Sequence, residues 1–347
     1  MKFTYLTYDD IQLIPKFSAV KSRKDISLRT KLSRRYDLII PIIASPMDTV
    51  CESDMAIKMF RMGGVGCIHR FNTITEQCNI VRETVRACFK KGKAGTVWSD
   101  GDNIPIMAAT GVGDIEKERA KALVNAGVNV LLIDVAHGDH QNVIDMIKWC
   151  KKNLPQHVDI IAGNIATVEA AERLQDAGAD GLRVGIGGGS LCTTRIKTGF
   201  GIPNVTCIED IAAVSKVPIM ADGGIRESGD IAKALAVGAS NVMLGSLIAG
   251  TDESPGSIIE KRNGLYKRYR GSASLETKSV HGQEQRNVEG ESTVIPYKGG
   301  VKFIIKGLTE GIRSAFSYAG AHSIETFSPE YVVVTNSGIN EAKPHLL

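Results

Sequence analysis

A glycine-rich stretch with a single thiol, residues 185–195, has the side chains best suited to chemistry in this chain. Four glycines and a serine precede Cys192, and glycine lets the backbone adopt positive φ angles and bring its amides close to a phosphate. A thiol beside such a loop is placed to attack whatever the phosphate anchors, and the hydroxyls of Thr193 and Thr194 can move protons to or from a leaving group. The same pattern also fits an ordinary strand-to-helix turn with a buried cysteine.

Eight short apolar runs alternate with longer amphipathic ones, which is typical of βα units around a parallel sheet. The predicted strands are residues 38–43, 65–68, 106–109, 130–134, 160–163, 181–184, 218–222 and 241–245. A weak internal repeat supports the count, because residues 123–134, 174–185 and 235–245 each combine a helix end, a terminating glycine and a buried strand. Eight such units predict an α/β fold of the (β/α)8 TIM-barrel type rather than an open doubly wound sheet.

Polar side chains or glycines follow nearly every predicted strand. Active sites of such barrels form at the C-terminal ends of the strands, so these residues are expected to share one rim. They are residues 45–48, 69–70, 110–111, 134–137, 164, 185–194, 222–224 and 245–246. The last two groups follow strands seven and eight, where barrels commonly bind phosphate, and Ser190 can join them. Helix capping by Asp and Ser is the alternative for any one loop, but three converging loops favour a phosphate site.

The composition excludes several classes of protein. The 347 residues are 43% hydrophobic and 23% charged, enough for a large core. A net charge of +4 is too small to indicate a nucleic-acid partner and suits an anionic small molecule equally well. The seven cysteines lack the spacing of a zinc site and indicate free thiols in a reducing compartment. With no signal peptide and no membrane-spanning run in the sequence, we expect a cytoplasmic protein without a membrane partner.

A polar segment interrupts the pattern after the last barrel strand. Residues 272–292 lack apolar periodicity, and a loop of this length in a compact enzyme is usually a mobile lid, called the flap below. Residues 299–319 predict a helix, and residues 331–336 predict one more strand in a C-terminal extension. We therefore expect residues 1–347 to form a single barrel domain with a flap.

Long motifs along nearly the whole chain resemble those of the IMP dehydrogenase and GMP reductase family. They are SPMDTV at 45–50, LIDVAHG at 132–138, AGNIAT at 162–167, GIGGGSLCTT at 185–194, ADGGI at 221–225, VMLGSLIAG at 242–250 and YRG at 269–271. Several of these motifs are long and specific, so the chain is identified as a member of this family.

The resemblance implies a homotetrameric barrel that binds a purine nucleoside monophosphate and a nicotinamide cofactor, with Cys192 attacking C2 of the purine to form a covalent thioimidate. The substrate-binding residues that it implies are Ser45, Met47, Ser190, Asp222, Gly223, Gly224, Gly245, Ser246, Tyr269, Gly271, Ser272, Ala273, Ser274 and Arg286. The cofactor-binding residues that it implies are Asp134, Val135, Ala136, Asn164, Gly185 and Gly187. It further implies a monovalent cation, K⁺, on the backbone carbonyls of Gly187, Gly189 and Cys192.

Two branches of the family share the covalent adduct and differ in its fate. The dehydrogenase oxidises IMP with NAD and hydrolyses the adduct to XMP, whereas the reductase expels ammonia from GMP and reduces the adduct to IMP with NADPH. The flap lacks the Arg-Tyr pair of the dehydrogenases, and its segment 285–290 (QRNVEG) is similar to the reductase pattern. The resemblance therefore favours an NADPH-dependent GMP reductase with Cys192, Thr194 and Glu289 as catalytic residues, the last two relaying a proton to the leaving ammonia. An IMP dehydrogenase using NAD is the alternative.

Several positions depart from the family pattern. Residues 88–105 form only a loop where many dehydrogenases carry a pair of CBS modules, so no CBS insert is expected. Residues 272–274 (SAS) replace the usual Met-containing segment that contacts the base, and Gly188 stands where the family usually has proline. Lys343 is either a substitute for the monovalent cation or a solvated lysine of the tail. A nucleotide-binding protein without catalysis and a flavin-binding barrel are the further alternatives.

Overall fold

The chain folds around a closed barrel of eight parallel strands. The computed structural model describes residues 4–89, 97–99, 101–271, 290–335 and 338. In chain order, the strands of these residues are β1 (Ile11–Leu13), β2 (Thr30–Lys31), β3 (Asp37–Leu38), β4 (Ile42–Ala44), β5 (Val65–Ile68), β6 (Met107–Thr110), β7 (Val130–Asp134), β8 (Asp159–Ile165), β9 (Gly181–Val184), β10 (Ile219–Asp222), β11 (Asn241–Leu244), β12 (Ile259–Lys261), β13 (Gly264–Arg270), β14 (Ser292–Pro296) and β15 (Tyr331–Val333). The barrel order is β10-β11-β4-β5-β6-β7-β8-β9, which confirms the predicted (β/α)8 fold.

Helices surround the barrel. They are α1 (Ser53–Arg61), α2 (Ile74–Phe89), α3 (Asp114–Ala126), α4 (Gln141–Asn153), α5 (Val168–Asp176), α6 (Thr194–Thr198), α7 (Asn204–Ala212), α8 (Ser228–Ala236) and α9 (Val301–Tyr318). All but the short α6, which has no buried residue, bury one face. Strands β5, β6, β7, β9 and β11 are buried along their whole length. This burial is expected of parallel strands with helices on one side and packed barrel side chains on the other.

The first predicted barrel strand is wrong in its extent. Residues 38–43 are divided between β3, which pairs with β2 outside the barrel, and β4, which is a barrel strand. Pro41 lies between the two strands, and it has no N–H to donate to a strand ladder. The amides of Ile39 and Ile40 instead donate to the carbonyl of Gly63 at 2.8 and 3.1 Å. The other seven predicted barrel strands are confirmed, with small shifts at their ends.

Short antiparallel strands outside the barrel connect distant parts of the chain. β15 lies in the predicted C-terminal strand and pairs with β1, and α9 confirms the predicted helix at 299–319. β12, β13 and β14 form a sheet that carries both ends of the predicted flap, because β13 ends at Arg270 and β14 begins at Ser292. Residues 272–289 of the flap lie outside the described residues. In the part of the chain that the structure describes, no helix is long and apolar enough to cross a membrane.

Candidate active site

A cleft of about 400 Å³ opens at the C-terminal ends of the barrel strands, where active sites of this fold form. Of the described residues predicted for the rim, Pro46, Asp48, His69, Thr110, Gly111, His137 and Thr193 do not line this cleft. Every described residue that the family resemblance implies for a site does line it. These residues are Ser45, Met47, Asp134, Val135, Ala136, Asn164, Gly185, Gly187, Gly189, Ser190, Cys192, Thr194, Asp222, Gly223, Gly224, Gly245, Ser246, Tyr269 and Gly271. The predicted site residues Ser272, Ala273, Ser274, Arg286 and Glu289 lie outside the described residues.

Cys192 differs from the other cysteines in its access to the cleft. It is half-buried, whereas the other six thiols are buried. Burial raises the pKa of all six, to about 12 at Cys88, Cys150 and Cys207, so these thiols are poor nucleophiles. The Sγ atom of Cys192 lies 3.1 Å from Oγ1 of Thr194. The thiol therefore has a hydroxyl within hydrogen-bond reach and an open path to a ligand.

The two ends of the flap meet beside this thiol. Cys192 pairs with Gly290 in an isolated antiparallel bridge, and the amide of Glu291 donates to the carbonyl of Leu191 at 3.1 Å. The amide of Gly271 donates to the carbonyl of Glu291 at 2.9 Å. Gly271 and Gly290 therefore lie beside Leu191 and Cys192, next to the nucleophile.

Glycines let two loops of the cleft pack backbone against backbone. A Cβ atom on Gly185, where φ is 133°, would lie 2.1 Å from the carbonyl oxygen of Asp222. A Cβ atom on Gly223, where φ is 92°, would lie 2.8 Å from the carbonyl carbon of Gly188. Both positions combine a left-handed conformation with a close approach that excludes a side chain. Phosphate sites built from backbone amides need loops of this kind.

Asn204, at the start of α7, links these loops by hydrogen bonds. It is not among the site residues predicted from the sequence. Its Nδ2 donates to the carbonyls of Asp222, at 3.1 Å, and Gly223, at 2.6 Å. Its side chain also fills the space beside Gly188, where a Cβ would lie 2.9 Å from Nδ2. Gly188 therefore leaves room for the Asn204 side-chain amide, which a proline at this position, as the family usually has, would displace.

The hydroxyl groups of Ser190 and Tyr269 lie close together beside the glycine loops. Ser190 Oγ lies 3.3 Å from the Tyr269 hydroxyl, and a Cβ on Gly245 would lie 3.1 Å from that same hydroxyl. Tyr269 is 4% exposed, and burial raises the pKa of its hydroxyl above the ordinary value. The hydroxyl therefore stays protonated at neutral pH and can donate to an anion.

Three charged side chains in contact cross the cleft. The central one, Arg183, is also not among the site residues predicted from the sequence. Arg183 on β9 contacts Asp134 at 2.5 Å and Asp222 at 3.0 Å, and the Asn164 amide donates to Asp222 at 2.7 Å. Burial by itself lowers the pKa of the Arg183 guanidinium, but Asp222 and Asp134 outweigh it and raise the pKa. Arg70 adds a bond from Nη2 to the backbone carbonyl of Asp134 at 3.1 Å. A charged residue inside the apolar strand 181–184 was the signal in the sequence that could have identified Arg183.

The donor groups of the cleft fit a monovalent cation better than a transition metal. Among the described residues, no group of three His, Cys, Asp or Glu side chains could hold a metal ion. The Gly189 carbonyl accepts an N–H from Cys192 at 3.1 Å, and a carbonyl oxygen has a second lone pair for a cation. The Gly189 carbonyl thus keeps a lone pair for a cation, and K⁺ on the carbonyls of Gly187, Gly189 and Cys192 stays a prediction.

Comparison with known proteins establishes the family of the chain. The model of the IMP dehydrogenase / GMP reductase domain matches residues 5–345. The chain is 41% identical to an inosine-5'-monophosphate dehydrogenase of Cryptosporidium parvum, over 98% of this chain and 94% of the relative, and 35% identical to a GMP reductase of Leishmania major, over 98% and 96%. A crystal structure of a GMP reductase variant from Trypanosoma brucei with guanosine 5'-monophosphate matches with a TM-score of 0.92 and 32% identity, over 99% of this chain and 98% of that one. The chain therefore belongs to the IMP dehydrogenase / GMP reductase family of oxidoreductases, which bind purine nucleoside monophosphates and use nicotinamide cofactors.

Proposed function

We propose that this protein is a GMP reductase, which converts GMP, NADPH and two protons into IMP, NADP⁺ and an ammonium ion. The observation that carries the proposal is the arrangement around the nucleophile: Thr194 lies 3.1 Å from the thiol on one side, and Gly290 pairs with Cys192 on the other. Glu289 directly precedes Gly290 in the chain, which supports the proposal that it takes part in the proton relay.

In the proposed reaction, the Cys192 thiolate adds to C2 of the guanine and forms a carbon–sulfur bond. The exocyclic amine leaves C2 as ammonia, and Thr194 and Glu289 supply its proton. Bound NADPH supplies a hydride to C2. The carbon–sulfur bond then breaks, so that IMP is released and the thiolate is restored. The chain needs to exclude water from the adduct during this sequence, and we assign that task to the flap.

The remaining cleft residues hold the two ligands in this proposal. The residues of the glycine loops and their neighbours bind the phosphate and ribose. They are Ser190, Asp222, Gly223, Gly224, Gly245, Ser246 and Tyr269. The purine base is bound by Ser45, Met47, Gly271, Ser272, Ala273, Ser274 and Arg286. A nicotinamide ring fits the part of the cleft where the carboxylate of Asp134 and the amide of Asn164 lie beside the apolar side chains of Val135 and Ala136, with Gly185 and Gly187 next to them.

We propose NADPH rather than NAD, K⁺ at the loop carbonyls, a homotetramer, a cytoplasmic location, and a single domain over residues 1–347 without CBS modules. The alignment with the inosine-5'-monophosphate dehydrogenase of Nitrosopumilus maritimus supports the last of these. It runs over 466 positions although this chain has 347 residues, so that relative has residues that this chain lacks.

An IMP dehydrogenase is the second candidate, and the 41% identity to the Cryptosporidium parvum dehydrogenase favours it. In that case water rather than hydride meets the adduct, and Arg286 becomes the flap residue to test for activation of the water. The two candidates use opposite directions of hydride transfer, so one spectroscopic signal separates them.

A paired assay of nicotinamide absorbance tests the proposal. We expect loss of NADPH absorbance with GMP, release of ammonia in equal amount, and no signal from IMP with NAD. Growth of NADH absorbance with IMP, and none of the first signal, contradicts the reductase and establishes the dehydrogenase. Silence in both cuvettes despite tight binding of GMP supports a nucleotide-binding protein without catalysis.

The proposed role of Glu289 has its own test. Glu289→Gln is expected to slow ammonia release more than hydride transfer, because the amide cannot supply the proton. Single-turnover measurements that follow ammonia and NADPH separately distinguish the steps. Equal loss in both steps removes Glu289 from the relay.

A further inference from the structure

Arg183 occupies a position between the two proposed ligands of the cleft. It is 7% exposed and extends from β9 toward a carboxylate on each side. Its Nη1 lies 2.5 Å from Asp134 Oδ1, and its Nε and Nη2 lie 3.1 and 3.0 Å from Asp222 Oδ2. One planar guanidinium thus connects the end of β7 with the end of β10.

Strand register makes this bridge possible. Asp134 on β7 is paired with Gly163 on β8, and Gly163 is paired with Arg183 on β9, so the three residues form one row across the barrel wall. A Cβ on Gly163 would lie 2.7 Å from the Cβ of Arg183 and 2.4 Å from its carbonyl oxygen. Only a residue without a side chain leaves Arg183 room to reach across the central strand to Asp134.

The second carboxylate is held by more than the arginine. Asp222 Oδ2 accepts from both Arg183 and the Asn164 amide, the latter at 2.7 Å. Among the described residues, no hydrogen bond engages Asp222 Oδ1, which is left to accept from a ligand. A ligand that moves the Asp222 carboxylate therefore also moves the guanidinium, and through it the Asp134 carboxylate.

We propose that Arg183 is a positioning residue that couples the purine-nucleotide half of the cleft to the nicotinamide half. This inference rests on the proposed function, because that function assigns Asp222 to the nucleotide and Asp134 to the cofactor. The first ligand to bind shifts the carboxylate on its side, and the bridge passes this shift to the other carboxylate, so the second ligand binds to a carboxylate that is already repositioned. By linkage, each ligand strengthens the binding of the other by the same factor, and such factors are commonly about 5-fold to 150-fold.

Calorimetric titration with IMP tests the coupling without turnover. IMP is a ligand in both branches of the family, so its dissociation constant is measured alone, with saturating NADPH and, separately, with saturating NADH. We expect at least one reduced cofactor to tighten IMP binding about fivefold or more in the unaltered protein. No change of IMP affinity with either cofactor overturns the inference, whatever the variants do.

Arg183→Lys isolates the bridge, because an ammonium keeps the charge but lacks the planar fork that contacts two carboxylates at once. The coupling factor is expected to fall to about 1, whatever happens to the separate affinities. Arg183→Gln is the second variant, and unfolding curves establish that each variant is folded. Retention of the full coupling factor in either folded variant contradicts the proposal.

Arg35→Lys is the matched control. Arg35 lies 2.5 Å from the buried Asp159 at the far end of the same barrel, away from the cleft. Its variant also loses a guanidinium–carboxylate pair but is expected to keep the coupling factor. Loss of coupling in both variants means that general stability rather than the bridge is responsible, and this result also overturns the inference. A failed GMP reductase assay with intact IMP coupling leaves the inference standing, so the two proposals fail separately.

Discussion

The two ends of the barrel use the same pairing of arginine and aspartate for different purposes. At the N-terminal end, Asp159 is fully buried and accepts hydrogen bonds from Ser33 Oγ at 2.7 Å and from the amide and guanidinium of Arg35 at 2.8 and 2.5 Å. At the C-terminal end, Asp222 accepts from Arg183 and Asn164 through a single oxygen. The carboxylate at the base has both oxygens engaged by the protein, whereas the one at the rim has one oxygen without a hydrogen bond from the described residues.

This difference explains how one fold separates stability from function. A buried carboxylate with every acceptor engaged stabilises the structure only as a complete set, because removing one member leaves the others unpaired. A carboxylate with a free acceptor can exchange water for a ligand instead. In such barrels the N-terminal end is expected to serve stability and the C-terminal end catalysis. Substitutions at each end can test whether this division holds in this chain.

The largest effect is expected at the rim. Cys192→Ala should reduce turnover by roughly a thousandfold or more, because the other six thiols are buried and do not line the cleft. Binding of the nucleotide should remain, since the glycine loops are untouched. Steady-state rates and calorimetric dissociation constants, together with an unchanged unfolding midpoint, check the prediction. Near-normal turnover would mean that the reaction does not pass through this thiol.

A large effect of the opposite kind is expected at the base. Asp159→Ala should lower the free energy of unfolding by about 2–4 kcal/mol, because it leaves Ser33 and the Arg35 amide without their acceptor. Arg35→Gln should cost less, about 1 kcal/mol or below, because the Arg35 side chain is 46% exposed and water screens its charge. Urea unfolding measures both. The division between the two ends breaks down if Asp159→Ala reduces kcat at a temperature where the variant is folded.

A smaller effect is expected at the amide that joins the glycine loops. Asn204→Ala should raise the KM for the nucleotide about tenfold with little change in kcat, because two hydrogen bonds to the Asp222 and Gly223 carbonyls are lost. Asn204→Asp should be worse, since a carboxylate would face two carbonyl oxygens. Steady-state kinetics distinguish the two variants. Equal KM values for Asn204→Asp and the unaltered protein would show that these loops do not depend on the amide.

The smallest effect is expected at the buried hydroxyl of the rim. Tyr269→Phe should raise the KM for the nucleotide about threefold, the loss of one hydrogen bond. Burial raises the pKa of Tyr269 above its ordinary value, so the hydroxyl is protonated below pH 10 in the unaltered protein. The pH profile of activity between 6 and 9 should therefore have the same shape in both proteins. A limb of the profile that disappears in the variant would indicate that the tyrosine ionises in the working range.

Much of the cleft could be predicted from the sequence, because its residues directly follow strands that are recognisable by their apolar composition. The apolar runs before Asp134, Asn164 and Asp222 specify strands in any parallel sheet, and the C-terminal ends of such strands meet at one edge. The glycines before Cys192 make its thiol a candidate, and the polar residues that follow the other strands favour it over a buried cysteine in an ordinary turn. The role of Glu289 and the contacts of residues 272–274 and Arg286 stay predictions, because these residues lie outside the described part of the chain.

Other features depend on which residues become neighbours when the barrel closes. Pro41 was visible in the sequence as a strand breaker, and it was missed only because the apolar run continues on both sides of it. Asn204 has no such signal in the sequence, and the charge of Arg183 inside an apolar strand does not indicate which carboxylates it contacts. The row of Asp134, Gly163 and Arg183 joins residues from three strands, and no local pattern specifies which residue of one strand faces which residue of the next. Strand propensity and turn chemistry are properties of neighbouring residues in the chain, whereas register across strands comes from closing the whole sheet, and the charge bridge exists only in that register.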